Sequence, residues 1–213
     1  MRLALLLVAL LSASTSASAS AFTLEQIMSA PFCDGLVTAE RAPRIAWTVN
    51  LRGERNVWAA EGPAWRPHAV THYRGDTGME LAGLAISPDG KLVVFSRGGE
   101  GERTPNPTSL ARPPRRQVVA ATLDGRGEPR VLGDGGDELQ LSPDGAMAAW
   151  VAKNQLWVAP VDGSAPARVL AELTGEVHEP RWSPDGKRIA FWVDRKSHAL
   201  IAVMALDGEA VRW

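Results

Sequence analysis

The sequence predicts an all-β chain, a β-propeller of four-stranded blades, and three observations carry that prediction. A Ser-Pro-Asp-Gly turn occurs three times, at residues 87–90, 142–145 and 183–186, each time between two short apolar strands. Each of these hairpins is followed by a second one around Asp124-Gly125, Asp162-Gly163 or Asp207-Gly208. Ser142 and Ser183 are 41 residues apart, which matches the ~40–45 residues of a propeller blade. The turn has a mechanism: Pro presets φ at the second position, Asp suits the third, and Gly takes the left-handed position that returns the chain.

In chain order, residues 1–21 read as a secretory signal peptide. Arg2 is the charged start, Leu3 to Leu11 the apolar core, and Ala17-Ser18-Ala19-Ser20-Ala21 the small-residue cleavage region, with cutting expected after Ala21. The apolar core is too short to span a bilayer, which takes ~20 residues. The product is therefore expected to be periplasmic or secreted, with no membrane association after cleavage. Residues 22–43 form an N-terminal segment in which Thr23 and Gln26 have capping-box spacing, so a short helix should start there and end before Pro31.

Residues 44–213 are assigned to the propeller, in blades of about 44–80, 81–134, 138–174 and 179–213. The first is degenerate: strands at 45–49 and 56–60 surround the turn Leu51-Arg52-Gly53-Glu54, a third strand is expected over 69–73, and no Ser-Pro-Asp-Gly turn is present. The second blade carries a Gly-, Pro- and Arg-rich insertion from Gly98 to Arg116, read as an exposed loop between its second and third strands. Four units, one of them degenerate, read as an incomplete ring, and its open apolar edge is expected to self-associate.

The chain carries 23 basic and 24 acidic residues and a net charge of −1, so it lacks the basic field of a nucleic-acid binder. Cys33 is the only cysteine, which precludes an internal disulfide, and it reads as a small packed residue. No cofactor is implied.

The residue pattern offers no catalytic constellation. The turn serines Ser87, Ser142 and Ser183 recur once per blade and read as structural. The nearest approach to a Gly-x-Ser-x-Gly elbow is Gly163-Ser164-Ala165, which sits in a hairpin turn. His68 and His72 have metal-ligand spacing only on a helix; on a strand their side chains stand ~13 Å apart, so no metal site is assigned. His178 and His198 lie in connections without an evident partner. Trp47, Trp58, Trp150, Trp157, Trp182 and Trp192 fall on strands, where aromatic residues pack between sheets. No catalytic, cofactor-binding or metal-ligating residue is therefore assigned.

Several of these segments resemble one family. Phe22-Thr23-Leu24-Glu25-Gln26-Ile27-Met28-Ser29-Ala30-Pro31-Phe32 is similar to the mature start of exported bacterial peptidases of the prolyl oligopeptidase family, in its dipeptidyl-peptidase-IV-like and acylaminoacyl-peptidase-like branch. Arg44-Ile45-Ala46-Trp47 and Arg55-Asn56-Val57-Trp58-Ala59-Ala60 resemble that family's first blade. Leu84 to Lys91 and Pro180 to Phe191 resemble its later ones. The resemblance implies a propeller that gates peptide access to a C-terminal α/β-hydrolase domain with a Ser-Asp-His triad. That domain is missing from these residues, so no catalytic residue carries over. Dipeptidyl peptidases of this type hold the substrate amino group with propeller glutamates, commonly an adjacent pair; no Glu-Glu occurs here, and that role is not mapped. The competing reading is a stand-alone periplasmic propeller of the Tol-translocation type, which binds a partner and catalyses nothing.

Overall fold

The computed structural model describes residues 22–98, 115–207 and 212. The expected signal peptide, most of the Gly98–Arg116 insertion and most of the last expected strand lie outside the described residues. No helix among the described residues is long and apolar enough to cross a membrane.

Residues up to Ala30 form a unit distinct from Pro31–Trp213. Its described part contains α1 (Leu24–Met28), and the capping box is present in full. The Thr23 hydroxyl accepts from the Gln26 amide at 3.1 Å, and the Gln26 side chain accepts from the Thr23 amide at 2.9 Å. The helix stops at Ser29, before Pro31.

The second unit is built from four antiparallel sheets in chain order. The first comprises β1 (Phe32–Thr38), β2 (Arg44–Leu51), β3 (Glu54–Glu61) and β4 (His68–Ala69). The second comprises β5 (Glu80–Ile86), β6 (Leu92–Gly98), β7 (Gln117–Thr122) and β8 (Arg130–Asp134). The third comprises β9 (Asp137–Leu141), β10 (Met147–Ala152), β11 (Gln155–Pro160) and β12 (Arg168–Ala171). The fourth comprises β13 (Glu176–Trp182), β14 (Arg188–Asp194) and β15 (Ala199–Ala205). Beyond β15, Arg212 bridges back to Val203, where the fourth strand of this sheet is expected. Successive sheets meet through their first strands, β1 on β5, β5 on β9 and β9 on β13. These are the sheets of a β-propeller in an open series.

Two features of the first sheet differ from the sequence reading. The repeat starts at Phe32 rather than Arg44, because β1 pairs with β2 from Phe32↔Asn50 to Thr38↔Ile45. Six of the seven β1 residues are exposed, so no alternation marks the strand. The third strand expected over 69–73 is instead the two-residue β4, because the Asn56 side chain displaces the ladder. Asn56 accepts from the Tyr73 amide at 2.7 Å and donates to the Tyr73 carbonyl at 3.0 Å, while the Thr71 hydroxyl takes the Val57 amide at 2.9 Å.

The core lies between sheets and follows one positional code. Ser87, Ser142 and Ser183 stand five residues before the first residue of β6, β10 and β14, and Ala39 stands five before β2. Counting on from those strand starts, the fourth residue is aromatic in every sheet: Trp47, Phe95, Trp150 and Phe191. Phe95 packs with Ala46 and Ala59 of the preceding sheet, Trp150 with Val94 and Ala120, and Phe191 with Ala149 and Val158. A large ring thus seats on small or branched residues at each of three contacts. Phe95, Trp150 and Phe191 are 0, 0 and 2% exposed. The matching face of the first sheet, with Ile45, Trp47 and Val49, is only half-buried. On the opposite face of the fourth sheet, Ile201 is 73% exposed among the described residues.

Outer strands are tied forward by a second recurring device. The first residues of β4, β8 and β12 each donate to backbone carbonyls at the Asp-Gly turn of the next sheet. His68 reaches Leu123 O at 2.8 Å, Arg130 reaches Asp162 O, and Arg168 reaches Leu206 O. Gly125 has to be a glycine here: a Cβ would stand 2.7 Å from the Ala69 carbonyl oxygen.

Candidate functional site: the inner-strand carboxylates

The three turn serines are fully committed. Ser87, Ser142 and Ser183 each donate to the aspartate two residues on, at 2.7, 2.5 and 2.5 Å. Each hydroxyl also accepts the amide five residues on, at 3.0, 2.9 and 3.0 Å. The serine hydroxyl, followed by the Lys91 amide, holds the Asp89 carboxyl down at about 2. Asp144 and Asp185 are lowered for the same first reason, the bond from Ser142 or Ser183. A hydroxyl that hands its proton to a carboxylate this acidic has no base to activate it. The sequence reading of these serines as hairpin parts is the one the geometry supports.

The first strands bring other chemistry together. Gly35, Gly83, Glu138 and Glu179 occupy the same position, four residues before Ala39, Ser87, Ser142 and Ser183, and all have positive φ, at 65°, 60°, 52° and 48°. A register shift accompanies each of them, so every first strand carries a bulge there. A left-handed conformation favours glycine and costs other residues about 1–2 kcal/mol. In the third and fourth sheets a glutamate bears that cost.

Glu138 is the centre of the resulting cluster. One oxygen accepts from the Glu179 amide, and the other lies 3.5 Å from His178 Nδ1. His178 Nε2 lies 3.8 Å from Glu176, and the imidazole stacks on Trp192 with centroids 4.3 Å apart. Beside it, Arg116 pairs with Asp137 at 2.7 Å and donates to the Ser96 hydroxyl at 3.1 Å. The first strands carry Asp34, Glu80, Asp137, Glu138, Glu176 and Glu179 against Arg181 as the one Lys or Arg. Carboxylates beside an aromatic face can receive ammonium and other donors.

Other residues singled out in the sequence lie elsewhere. His68 is an inter-sheet tie and His72 is exposed, so the structure does not bring the two together. The Ser197 hydroxyl lies 3.0 Å from His198 Nδ1 on an exposed connection. Ser164 is exposed and gives its amide to Asp162, and Cys33 is exposed on β1 rather than packed. Trp47 and Trp58 are cross-strand partners, as are Trp150 and Trp157. Trp182 packs between the third and fourth sheets, and its buried indole N–H has no hydrogen-bond partner. No group of three or more His, Cys, Asp or Glu residues that could hold a metal ion occurs among the described residues. An open cleft between Lys187 and Leu206, at the turn end of the fourth sheet, is separate from this cluster. The Glu138–His178 pair was not legible in the sequence. The nearest signal was two glutamates, Glu138 and Glu179, at one repeat position otherwise held by glycine.

The fold and the site define a class, a propeller portion with acidic first strands, and comparison with known proteins finds the same fold in propellers of peptidases and of TolB. No protein-family profile matches the chain. Tricorn protease homolog 1 of Streptomyces coelicolor is 35% identical over 66 residues, which is 31% of this chain and 6% of that protein. A prolyl endopeptidase structure matches with a TM-score of 0.61 and 16% identity, over 87% of this chain and 29% of that one. A puromycin-hydrolyzing peptidase of Mycobacterium tuberculosis matches with a TM-score of 0.59 and 22% identity, over 86% and 30%. TolB from Acinetobacter baumannii matches with a TM-score of 0.53 and 18% identity, over 84% and 43%. The chain thus spans less than half of each of these proteins, and the structural likenesses establish the fold.

Proposed function

We propose that this chain is the N-terminal propeller portion of an exported serine peptidase of the prolyl oligopeptidase family, in which it gates peptide access to a hydrolase domain. The observation that carries the reading is the joint likeness to peptidases: a prolyl endopeptidase fold over 87% of the chain and a tricorn homologue's sequence over 66 residues. The acidic first strands give the gate its chemistry, since six carboxylates against one guanidinium on those strands, with Arg116 beside them neutralising Asp137 alone, favour peptides carrying a free amino group or basic side chains. In this reading the chain contributes contacts and selection, and the Ser-Asp-His triad comes from polypeptide beyond Trp213.

The test has two parts. Sequencing the coding DNA past Trp213 is expected to reveal further blades and a Gly-x-Ser-x-Gly elbow; a stop codon with neither would remove the peptidase reading. In the whole peptidase, Glu138→Gln is expected to raise KM for short basic peptides about tenfold while kcat holds, the pattern of a lost binding contact. A second reading, a stand-alone binding propeller of the Tol type, is supported by the TolB likeness. It predicts that the chain is complete without a hydrolase and retains an envelope partner on affinity capture.

A further inference from the structure

We propose that the exposed Arg212 is the docking side chain for a fifth sheet of the same polypeptide, held through the backbone carbonyls of that sheet's Asp-Gly turn. The starting point is strand register. In each of the four sheets, the third residue of the second strand pairs with a residue of the third strand: Ala46↔Ala59, Val94↔Ala120, Ala149↔Val158 and Ala190↔Val203. Those third-strand residues pair in turn with His68, Arg130, Arg168 and Arg212. Arg212 therefore stands where His68, Arg130 and Arg168 stand in the sheets before it.

The three earlier residues share one task. His68 reaches Leu123 O at 2.8 Å, Arg130 reaches the Val161 and Asp162 carbonyls, and Arg168 reaches Leu206 O. Leu123, Val161 and Leu206 occupy one position, immediately before the aspartate of an Asp-Gly turn. The tie also accounts for the glycine. A Cβ on Gly125 would stand 2.7 Å from Ala69 O, and one on Gly163 would stand 2.6 Å from Arg130 Cδ. Carbonyls at a chain reversal suit a guanidinium, which presents five donors in a plane and no acceptor.

The surroundings of Arg212 match those of the earlier ties. With Val203, Ala205 and Leu206 it lines an open cleft at the turn end of the fourth sheet. On the same sheet Ala190 corresponds by register to Ala46, Val94 and Ala149, and Ile201 to Val57, Val118 and Leu156. All six of those residues are 0% exposed beneath a following sheet. A fifth sheet seated here brings its own turn over Arg212, as the fourth sheet brings Leu206 over Arg168. The occupant is thereby specified as a sheet whose third and fourth strands are joined by an apolar residue followed by Asp-Gly.

The inference does not rest on the peptidase reading, since a Tol-type propeller with a fifth sheet uses Arg212 in the same way. Asp162 and Asp207 follow the preceding turn aspartate by 38 and 45 residues. The coding sequence past Trp213 should therefore place an apolar-Asp-Gly turn about 38–45 residues beyond Asp207. A reading frame with this turn and no Gly-x-Ser-x-Gly elbow keeps the inference and removes the peptidase reading. An elbow without the turn does the reverse.

The experiment is hydrogen exchange, followed by mass spectrometry, on the protein from the complete reading frame. Arg212→Ala should speed exchange at the downstream Asp-Gly turn about tenfold and leave the turns at Asp124 and Asp162 unchanged. Arg168→Ala is the internal standard and should do the same at the turn after Leu206. Arg212→Lys keeps a donor and should fall between the native protein and Arg212→Ala. Alanine in place of the downstream turn glycine should reproduce the Arg212→Ala effect by displacing the guanidinium, and circular dichroism checks that each variant folds. An unaltered downstream turn in Arg212→Ala would overturn the proposal. So would protection around Arg212 that rises with protein concentration, which would assign the covering sheet to a second chain.

Discussion

The first and third sheets are the same object assembled from different residues, and three equivalent positions show what the differences cost. At the aromatic position, Trp150 is fully buried and donates its indole N–H to Asp134 O at 3.0 Å, whereas Trp47 is half-buried. At the turn, Ser142 binds Asp144 and the Met147 amide. Ala39 can do neither, and its hairpin leans on the next sheet instead. The Arg41 amide donates to Pro88 O at 2.8 Å, and the Arg44 guanidinium reaches Gly90 O at 3.3 Å. At the bulge the first sheet has Gly35 and the third has Glu138. One hairpin is held by its own side chains, and the other leans on its neighbour's backbone carbonyls. That is why a blade without the Ser-Pro-Asp-Gly signature still folds as a blade.

The comparison is broken most sharply at the aromatic position. Trp150→Ala should cost about 3–5 kcal/mol, the range for a buried aromatic truncation. Trp47→Ala should cost about 1 kcal/mol, since half-burial leaves less to lose. Urea titration of both variants measures the difference, and equal losses would mean that the first sheet's outer face is as buried as an interior one.

Next in size is the turn. Ser142→Ala removes the acceptor for the half-buried Met147 amide and should cost about 1–3 kcal/mol. Ala39→Ser, at the equivalent position, should stay within about 0.5 kcal/mol, because residue 41, where the turn aspartate would stand, is an arginine. Arg44→Ala should instead loosen the first hairpin, visible as faster amide exchange at Ala39, whose N–H bonds the Arg44 carbonyl at 2.9 Å.

Acid separates the two kinds of turn. Asp89, Asp144 and Asp185 are all held below the ordinary carboxylate value by their serine partners. The folded state therefore binds fewer protons than the unfolded one, and this stabilisation is fully present above about pH 4. It is lost as pH falls through the folded value, which for Asp89 is about 2. Melting temperature followed from about pH 5 down to about pH 2 should fall, and Asp89→Asn should flatten part of that slope. Hydrogen exchange at the first hairpin, which has no such serine–aspartate pair, should follow the acid profile least.

The smallest effects belong to the bulge. Gly35→Ala should cost about 1 kcal/mol for its positive φ alone, because the nearest atom to an added Cβ, Thr48 Oγ1, stands 3.9 Å away. Glu138→Gly should change stability by no more than about 0.5 kcal/mol, relief of the same strain being offset by loss of the bonds to Glu179 and His178. A clear gain in denaturation midpoint for Glu138→Gly would show that the glutamate is retained at a cost to the fold.

What the residues determined by themselves is everything governed by short-range chemistry. The Ser-Pro-Asp-Gly hairpins, the Asp-Gly hairpins and the Thr23–Gln26 helix cap each depend on groups within five residues of one another, so they can be read along the chain, and their recurrence gives the repeat. Tertiary structure decided the rest. β1 has six exposed residues out of seven and is a strand because β2 offers it an edge. The last strand of the first sheet, β4, was cut short because the Asn56 side chain, 15 residues from Thr71, took over its bonds. His68, read as a doubtful metal ligand, proved to be a tie to a carbonyl 55 residues away. Glu138 and His178 met because successive sheets bring their first strands side by side. Local rules set each blade's turns, and the contacts between blades set which side chains face one another, because packing joins residues that no local spacing relates.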